Sequence, residues 1–547
     1  MSRIGSITGR IRCYVASLPG SAPVSRFTNG GTVVISLNAA RGFGRFATTM
    51  LAMAGTAGSF ALSSGNDGSR RSAGNAALHA VPHAAPQEFE QSLRGDECIA
   101  DYVHGISGTG LAATVGTPSL TAVKVWDDGT GPALYVGGRF SSINGVPAVN
   151  VAKFDGTTWS ALATVGVPTT AQRVTKLEVF NDGGQEYLFI GGTFASVDGD
   201  PDMKALVRWD GTSISLAAPV GSTVTSFGVT AMTVGDLGGG PQLFVSGNAQ
   251  IHRKSGGVWV NTNPNFNNGT TVHTMCVFVK DDVPYLYVGG NMVTNNGQSS
   301  PGMARWDGTT WSWTGNFNQF GVVRSLHVYN DGNGPALYAG GNFTSIGNVG
   351  ASRIARLPRD GFATANWQSL GSGLAEINGC PGCPTINDMT TFDDGTGPAL
   401  YVVGAFESIS GTFSPAIARF RDGQWHSVGS GHPMNGTVNA GVLSLAKHET
   451  CGPLTPDGQP ALFFGGNMTT VAGQGNLSIG MYQGCPVEEG EFSVADLNRD
   501  GAVNSSDLFI LLAAWGPCDT YCACLADLNG DGQIDSLDLI MLLALWG

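Results

Sequence analysis

Two twelve-residue stretches near the carboxyl end of this 547-residue chain place oxygen-bearing side chains at alternate positions. In the first, Asp496, Asn498, Asp500, Asn504 and Asp507 stand at loop positions 1, 3, 5, 9 and 12, with Gly501 at 6 and the backbone carbonyl of Ala502 at 7. The second repeats this 31 residues later with Asp527, Asn529, Asp531, Asp535 and Asp538, Gly532 at the bend and Gln533 at position 7. A hard cation such as Ca2+ gathers about six to eight oxygens, which alternate residues of one tight loop supply while glycine takes the sharp turn. The spacing predicts two calcium sites, because two ordinary polar turns would not both need the full ligand set. Three carboxylates in the first loop and four in the second predict tighter binding at the second. Val503 and Ile534, at position 8, are expected to pair the loops.

Each loop should lead into a helix. Leu508, Leu511, Leu512 and Trp515 follow i, i+3, i+4, i+7 spacing, and Leu539, Leu542, Leu543 and Trp546 repeat it, so the two faces are expected to pack together. Asp instead of Glu at position 12, tandem loop-helix units and a missing entering helix resemble the type I dockerin family over residues 492–547. The resemblance implies an EF-hand-like calcium module that docks a secreted protein onto a cohesin-like module. It also implies partner contact at loop positions 10 and 11, here Ser505, Ser506, Ser536 and Leu537, where Leu537 departs from the usual small hydroxyl pair.

Ahead of this module a different grammar holds. Between about residues 105 and 485 an apolar strand, a glycine pair and an aromatic-Asp-Gly turn followed by Trp recur, as in ALYVGGRF (133–140) and VAKFDGTTWSAL (151–162). Seven glycine strands stand at 137, 191, 246, 289, 340, 403 and 465, in steps of 43 to 63 residues. A four-stranded blade with loop insertions fits that period, so the fold class is mainly β, a seven-bladed β-propeller followed by a small helical domain. Asp-Gly pairs supply the positive φ of tight hairpins, the paired glycines allow close backbone approach, and Trp159 or Trp311 can fill the wedge between blades. The seventh unit lacks a fourth strand, and Leu111–Val115 precedes the first, so the amino-terminal piece is expected to complete the last blade there. The third unit departs most, with Ser246 at the glycine pair and HRKSGGVW at the turn, and a distorted blade is expected. The phrase resembles kelch repeats, bacterial surface repeats and fungal cortical cell-polarity markers over roughly 380 residues. That implies a propeller and no particular function.

Glycoside chemistry would need convergent carboxylates about 5 to 9.5 Å apart. Most ring aspartates (Asp127, Asp128, Asp182, Asp281, Asp282, Asp331, Asp393, Asp394) instead fall at expected hairpin turns, which explains them without catalysis or surface calcium. His252, His273 and His327 are scattered and read as strand or loop residues. No catalytic residue is assigned.

The remaining composition sets the surroundings. Residues 1–61 hold six arginines, no lysine and no carboxylate, and end in an apolar run with small residues near Ala61, which reads as a signal segment; 62–97 reads as a low-complexity linker. The ring is placed at 98–485, a linker at 486–491 and the calcium module at 492–547. Cys276 lies in an apolar strand pattern, and the eight cysteines Cys98, Cys380, Cys383, Cys451, Cys485, Cys518, Cys522 and Cys524 suit disulfides better than zinc, with a Cys98–Cys485 bridge across the ring seam a further expectation. A net charge of −13 argues against nucleic acid, and no run of 18 apolar residues after the leader offers a membrane span. The combined expectation is a secreted or cell-surface bacterial binding or scaffold protein, with a cohesin-like module or surface protein as partner and a glycan as candidate ligand of the propeller face. A polysaccharide-active enzyme and a structural cell-envelope protein are the alternatives.

Overall fold

A computed structural model of the chain describes residues 101–484 apart from 104–105, 107–109, 115, 168–171, 265, 268, 293–301, 315–320, 348, 360–366, 376–383, 430–441, 449–453, 456–458, 467, 469, 472–473 and 476–477. In the tail it describes 495, 497, 503, 507–508, 511–512, 516–517, 526, 528–529 and 533–546. The chain divides into the units Met1–Gln91 and Ser92–Gly547, and every described residue belongs to the second. The expected signal segment, the linker at 62–97 and the eight cysteines offered for disulfides lie outside the described residues, whereas Cys276 is a free thiol within a strand.

Among the described residues seven four-stranded antiparallel sheets form the body. Their first (A) strands are Ser119–Asp127, Val174–Asn181, Ala231–Asp236, Thr271–Lys280, Val323–Asn330, Thr385–Asp393 and Val442–His448. Each A strand lies against that of the next sheet, and the seventh lies against the first, so the sheets are the blades of a closed propeller. Their apolar faces meet between blades. One core joins Trp126, Tyr135 and Val151 of blade 1 to Val174, Leu188 and Ile190 of blade 2, and another joins Leu134, Val136 and Phe154 to Phe463, Ile479 and Met481 of blade 7. A blade therefore buries its second face only against a neighbour, and stability is shared around the circle.

The repeated residues hold these sheets for separable reasons. At Asp155–Gly156 the glycine takes φ 97°, while the Asp155 carboxylate accepts from the amides of Thr157 (2.8 Å) and Thr158 (2.7 Å). Trp159 is buried and its Nε1 donates to the Ile106 carbonyl (2.9 Å), as Trp311 does to Thr262 (3.1 Å). The two glycines of a pair face different obstacles. A Cβ on Gly191 would meet Val229 of the next blade at 2.7 Å, whereas one on Gly192 would meet the Arg173 carbonyl oxygen of its own sheet at 2.1 Å.

Closure differs from expectation in detail. An amino-terminal strand does complete blade 7, but it is Asp101–Val103, paired with Ile479–Gln483. Leu111–Ala112 instead joins Ser142–Ile143 in a small sheet beside blade 1. The open edge of Ile479–Gln483 needs only a short backbone ladder, so the apolar alternation at 111–115 was a poor guide to which segment fills it. Short hairpins between the second and third strands, such as Ser345–Ile346 with Val349–Gly350, account for part of the variable step. Blade 3 keeps four strands, and its departure is narrower than a general distortion. Six A strands carry a bulge that leaves one residue unpaired (Thr121, Thr175, His273, Arg324, Asn387 and Leu443), and that of blade 3 has none.

Candidate functional site

The helix Ser536–Ala544 begins where the second loop ends, and the last loop carboxylates build that junction. Asp535 caps the helix by accepting from the Leu537 amide (2.7 Å), and Asp538 returns the contact by accepting from the Asp535 amide (2.8 Å), a reciprocal capping box. The other Asp538 oxygen accepts from the Asn529 amide (3.2 Å), so the position-12 carboxylate ties the loop to its helix. Asp538 is 0% exposed, and so is Asp507, its counterpart in the first unit. Between residues 486 and 547 Arg499 is the sole basic residue. A buried carboxylate is costly unless its charge is compensated, and this oxygen-rich donor set fits a cation supplied from solution. Gln533 and Asn529 are exposed. Asp496, Asn498, Asp500, Ala502, Asn504, Asp527 and Asp531, with Ser505 and Ser506, lie outside the described residues.

The apolar pattern of the tail is only half as expected. Val503 and Ile534 are buried in one cluster with Leu511 and Leu542, which brings the two units together, while the short ladder at Ile534 is made with Gly516. Leu512, Leu543 and Trp546, expected in the packed face, are exposed. The buried Asp507 and Asp538 set the helical phase. At 100° per residue Leu511 and Leu542, four places on, share their side of the helix, whereas Leu512 and Leu543, five places on, turn away. Trp546 lies beyond the helix end at Leu545. Ser536 and Leu537 are exposed at the partner positions, and Leu537 (54%), Ile540 (61%) and Leu543 (51%) form an apolar stripe open to solvent. Sequence reading missed Ile540, whose signal was an apolar residue standing off the expected face.

In the ring, the turn acids are structural. Asp128 binds Lys153 Nζ (2.5 Å) and Tyr135 Oη (2.7 Å); Asp182 binds Arg208 (2.5 Å) and Lys254 (2.6 Å) of blade 3. Asp331 pairs with Arg356 and Tyr338, and Asp394 with Arg419, Tyr401 and Tyr482. Desolvation alone would raise the Asp394 carboxyl, but hydrogen bonds and the Arg419 charge hold it below its ordinary range. His252 meets Thr223 Oγ1 (2.9 Å), and His327 meets Thr391 Oγ1 (2.9 Å). Burial pushes the imidazoles of His273, His327 and His448 down to about 4.

Comparison with known proteins bears on both halves. Residues 494–544 match the family model of the dockerin type I domain, and residues 337–362 match a β-propeller domain of unknown function, DUF5122. No curated protein matches the chain. Similar solved structures include the extracellular domain of a one-component system from B. thetaiotaomicron (10% identity, 70% of this chain and 39% of that one, TM-score 0.40). They also include YCF48 from Cyanidioschyzon merolae (10%, 71% and 99%, TM-score 0.38) and an ancestral GH74 enzyme (13%, 70% and 48%, TM-score 0.40). The chain thus spans about two fifths of the first of these proteins. Among the described residues no helix is long and apolar enough to cross a membrane. Type I dockerin domains bind calcium and cohesin modules, and this chain carries such a domain at its carboxyl end behind a β-propeller.

Proposed function

We propose that the chain is an exported bacterial recognition and scaffold protein, in which the propeller presents a binding surface and the tail, loaded with two calcium ions, docks on a cohesin-like partner. The observation that carries this reading is the fully buried position-12 carboxylate Asp538, which ties its loop to the helix, with Asp507 equally buried in the first unit. Calcium neutralises them and holds both loops against their helices through Asp496, Asn498, Asp500, Ala502, Asn504 and Asp507, and through Asp527, Asn529, Asp531, Gln533, Asp535 and Asp538. That holds the stripe Leu537, Ile540 and Leu543 toward the partner next to Ser536, and Ser505 and Ser506 stand at the family's partner positions in the sequence of the first loop. Exposed apolar residues in a row on a short helix are what a docking surface requires. The test is capture of the full chain by a panel of immobilised cohesin modules, with calcium and with chelator. Binding that is lost on chelation and in Asp538→Ala supports the reading, and calcium-independent capture or none refutes it. A parallel hydrolysis assay on neutral and acidic polysaccharides separates this role from that of a polysaccharide-active enzyme.

A further inference from the structure

The A-strand bulges divide into two chemical kinds. In blades 1, 2 and 6 the unpaired residue stitches its blade to the next: Thr121 Oγ1 donates to the Val174 carbonyl (2.5 Å), Thr175 Oγ1 to Val229 (2.6 Å) and Asn387 Nδ2 to Val442 (2.9 Å). In blades 4 and 5 the same place holds His273 and Arg324, and neither makes that stitch among the described residues. Bulges re-aim side chains, and neighbouring A strands pack against each other around the ring, so two larger polar groups stand at equivalent places on adjacent blades. Lys176, beside the bulge of blade 2, acts electrostatically on both His273 of blade 4 and Asp388 of blade 6. Lys176 and Asp388 each stand one place after the bulge of their A strand, at one level of the ring.

The charges on these A strands do not cancel. Lys124 and Glu178 pair with each other (2.5 Å). Asp388 accepts from the amides of Met389 (2.9 Å) and Leu445 (2.9 Å) and from Ser325 Oγ (3.3 Å), and burial favours its neutral form. Arg324 has no ion pair among the described residues, and its Nε is buried without a hydrogen-bond partner. A guanidinium nitrogen removed from water and left without a partner is a group that calls for an explanation. In a chain of net charge −13 it marks a local reversal of sign.

We propose that Arg324, His273 and Lys176 form an oxyanion-binding site in the bore of the propeller, which takes the carboxylate of an acidic saccharide or an inorganic phosphate or sulfate. Arg324 supplies the planar fork that suits two oxygens at once, Lys176 a second positive charge, and the neutral imidazole of His273 a further polar contact. The inference rests on the recognition role proposed above insofar as it treats the ring as the ligand-holding part.

The test is calorimetric titration of the calcium-loaded full chain with trigalacturonate, its carboxyl-reduced neutral counterpart, phosphate and sulfate. The expected result is saturation by trigalacturonate, phosphate or sulfate and no binding of the neutral saccharide. Arg324→Gln should weaken the anion about tenfold or more, the loss of a charge-assisted contact, and Arg324→Lys should weaken it less. Lys176→Gln, on a different blade, gives the same direction if Arg324→Gln fails to melt like the parent. The site is overturned if no anion saturates the parent below about 10 mM, or if folded Arg324→Gln or Lys176→Gln binds as the parent does; the acidic and inorganic arms identify the source of the oxyanion. Neutral-glycan binding insensitive to Arg324→Gln would sink this site and leave the recognition role standing, whereas polymer turnover would sink that role and leave the anion comparison intact.

Discussion

Replacing Gly192 by alanine should damage the ring far more than replacing Gly191, although the two are neighbours in the same strand. The Gly192 Cβ would sit 2.1 Å from the Arg173 carbonyl oxygen and 2.9 Å from Val174 Cα, both backbone atoms. A carbon normally keeps about 3.3 Å from such an oxygen, so the strands would have to part by about 1 Å. The movement strains the bonds from the Thr193 amide to Arg173 (2.9 Å) and from the Gly192 amide to Ala205 (2.8 Å). Two hydrogen bonds at about 1 kcal/mol each, added to overpacking of about 1–3 kcal/mol, give a loss of about 3–5 kcal/mol. The Gly191 Cβ would meet only side chains, Val229 at 2.7 Å and Met232 at 3.3 Å, which leaves the overpacking term of about 1–3 kcal/mol. Val229→Ala in the Gly191→Ala background should recover part of that, whereas nothing at position 229 should help Gly192→Ala. Urea unfolding of the four variants, followed by tryptophan fluorescence, measures the order. If Gly192→Ala proves no less stable than Gly191→Ala, the assignment of separate duties to the paired glycines is wrong.

Asp394→Ala strips Arg419, Tyr401 and Tyr482 of a shared buried partner, and breaking such an ion pair costs about 3–5 kcal/mol; a thermal midpoint equal to that of the parent would contradict it. Acidification should destabilise the ring between pH 6.5 and 4. Because His273, His327 and His448 titrate near 4 when folded and near 6.5 when unfolded, the unfolded chain binds more protons in that window, so stability falls as pH falls through it. His448 is almost fully buried and alone sets a ceiling of about 3 kcal/mol, opposed in part by Asp388, whose raised pKa works the other way; calorimetric melts that stay level from pH 6.5 to 4.5 would refute this. Deleting residues 1–104 removes the strand Asp101–Val103 and should lower the melting temperature and speed proteolysis of blade 7 before the other blades, which limited digestion with mass mapping would detect.

Much of the fold is legible because repetition carries it. The glycine strands, the Asp-Gly turns and the wedge tryptophans each have a local reason that recurs, so one unit explains the next. What escaped reading depends on partners distant in sequence. Asp128 and Asp331 read as turn residues, yet their cations Lys153 and Arg356 stand 25 residues later in another strand. The bulges at Thr121 and Arg324 arise from the register between two strands, which no composition encodes. Asp101–Val103 is too short to show a period, and only the vacant edge beside Ile479–Gln483 selects it. In the tail, residue types and spacing marked Asp507 and Asp538, but helical phase was misjudged because a buried acid was counted as polar and the leucines were assigned a face without it.

The strand at the seam also determines how the molecule bears a load. Tension on the carboxyl tail reaches the ring at Gln483, in a strand flanked by Asp101–Val103 on one side and Ala461–Gly466 on the other. A strand clamped along both edges must be dragged lengthwise past two neighbours at once, whereas a terminal strand at a free margin can be unzipped one bond at a time. A pull on the tail would therefore fall on a strand held along both edges, not on a free margin of the last blade.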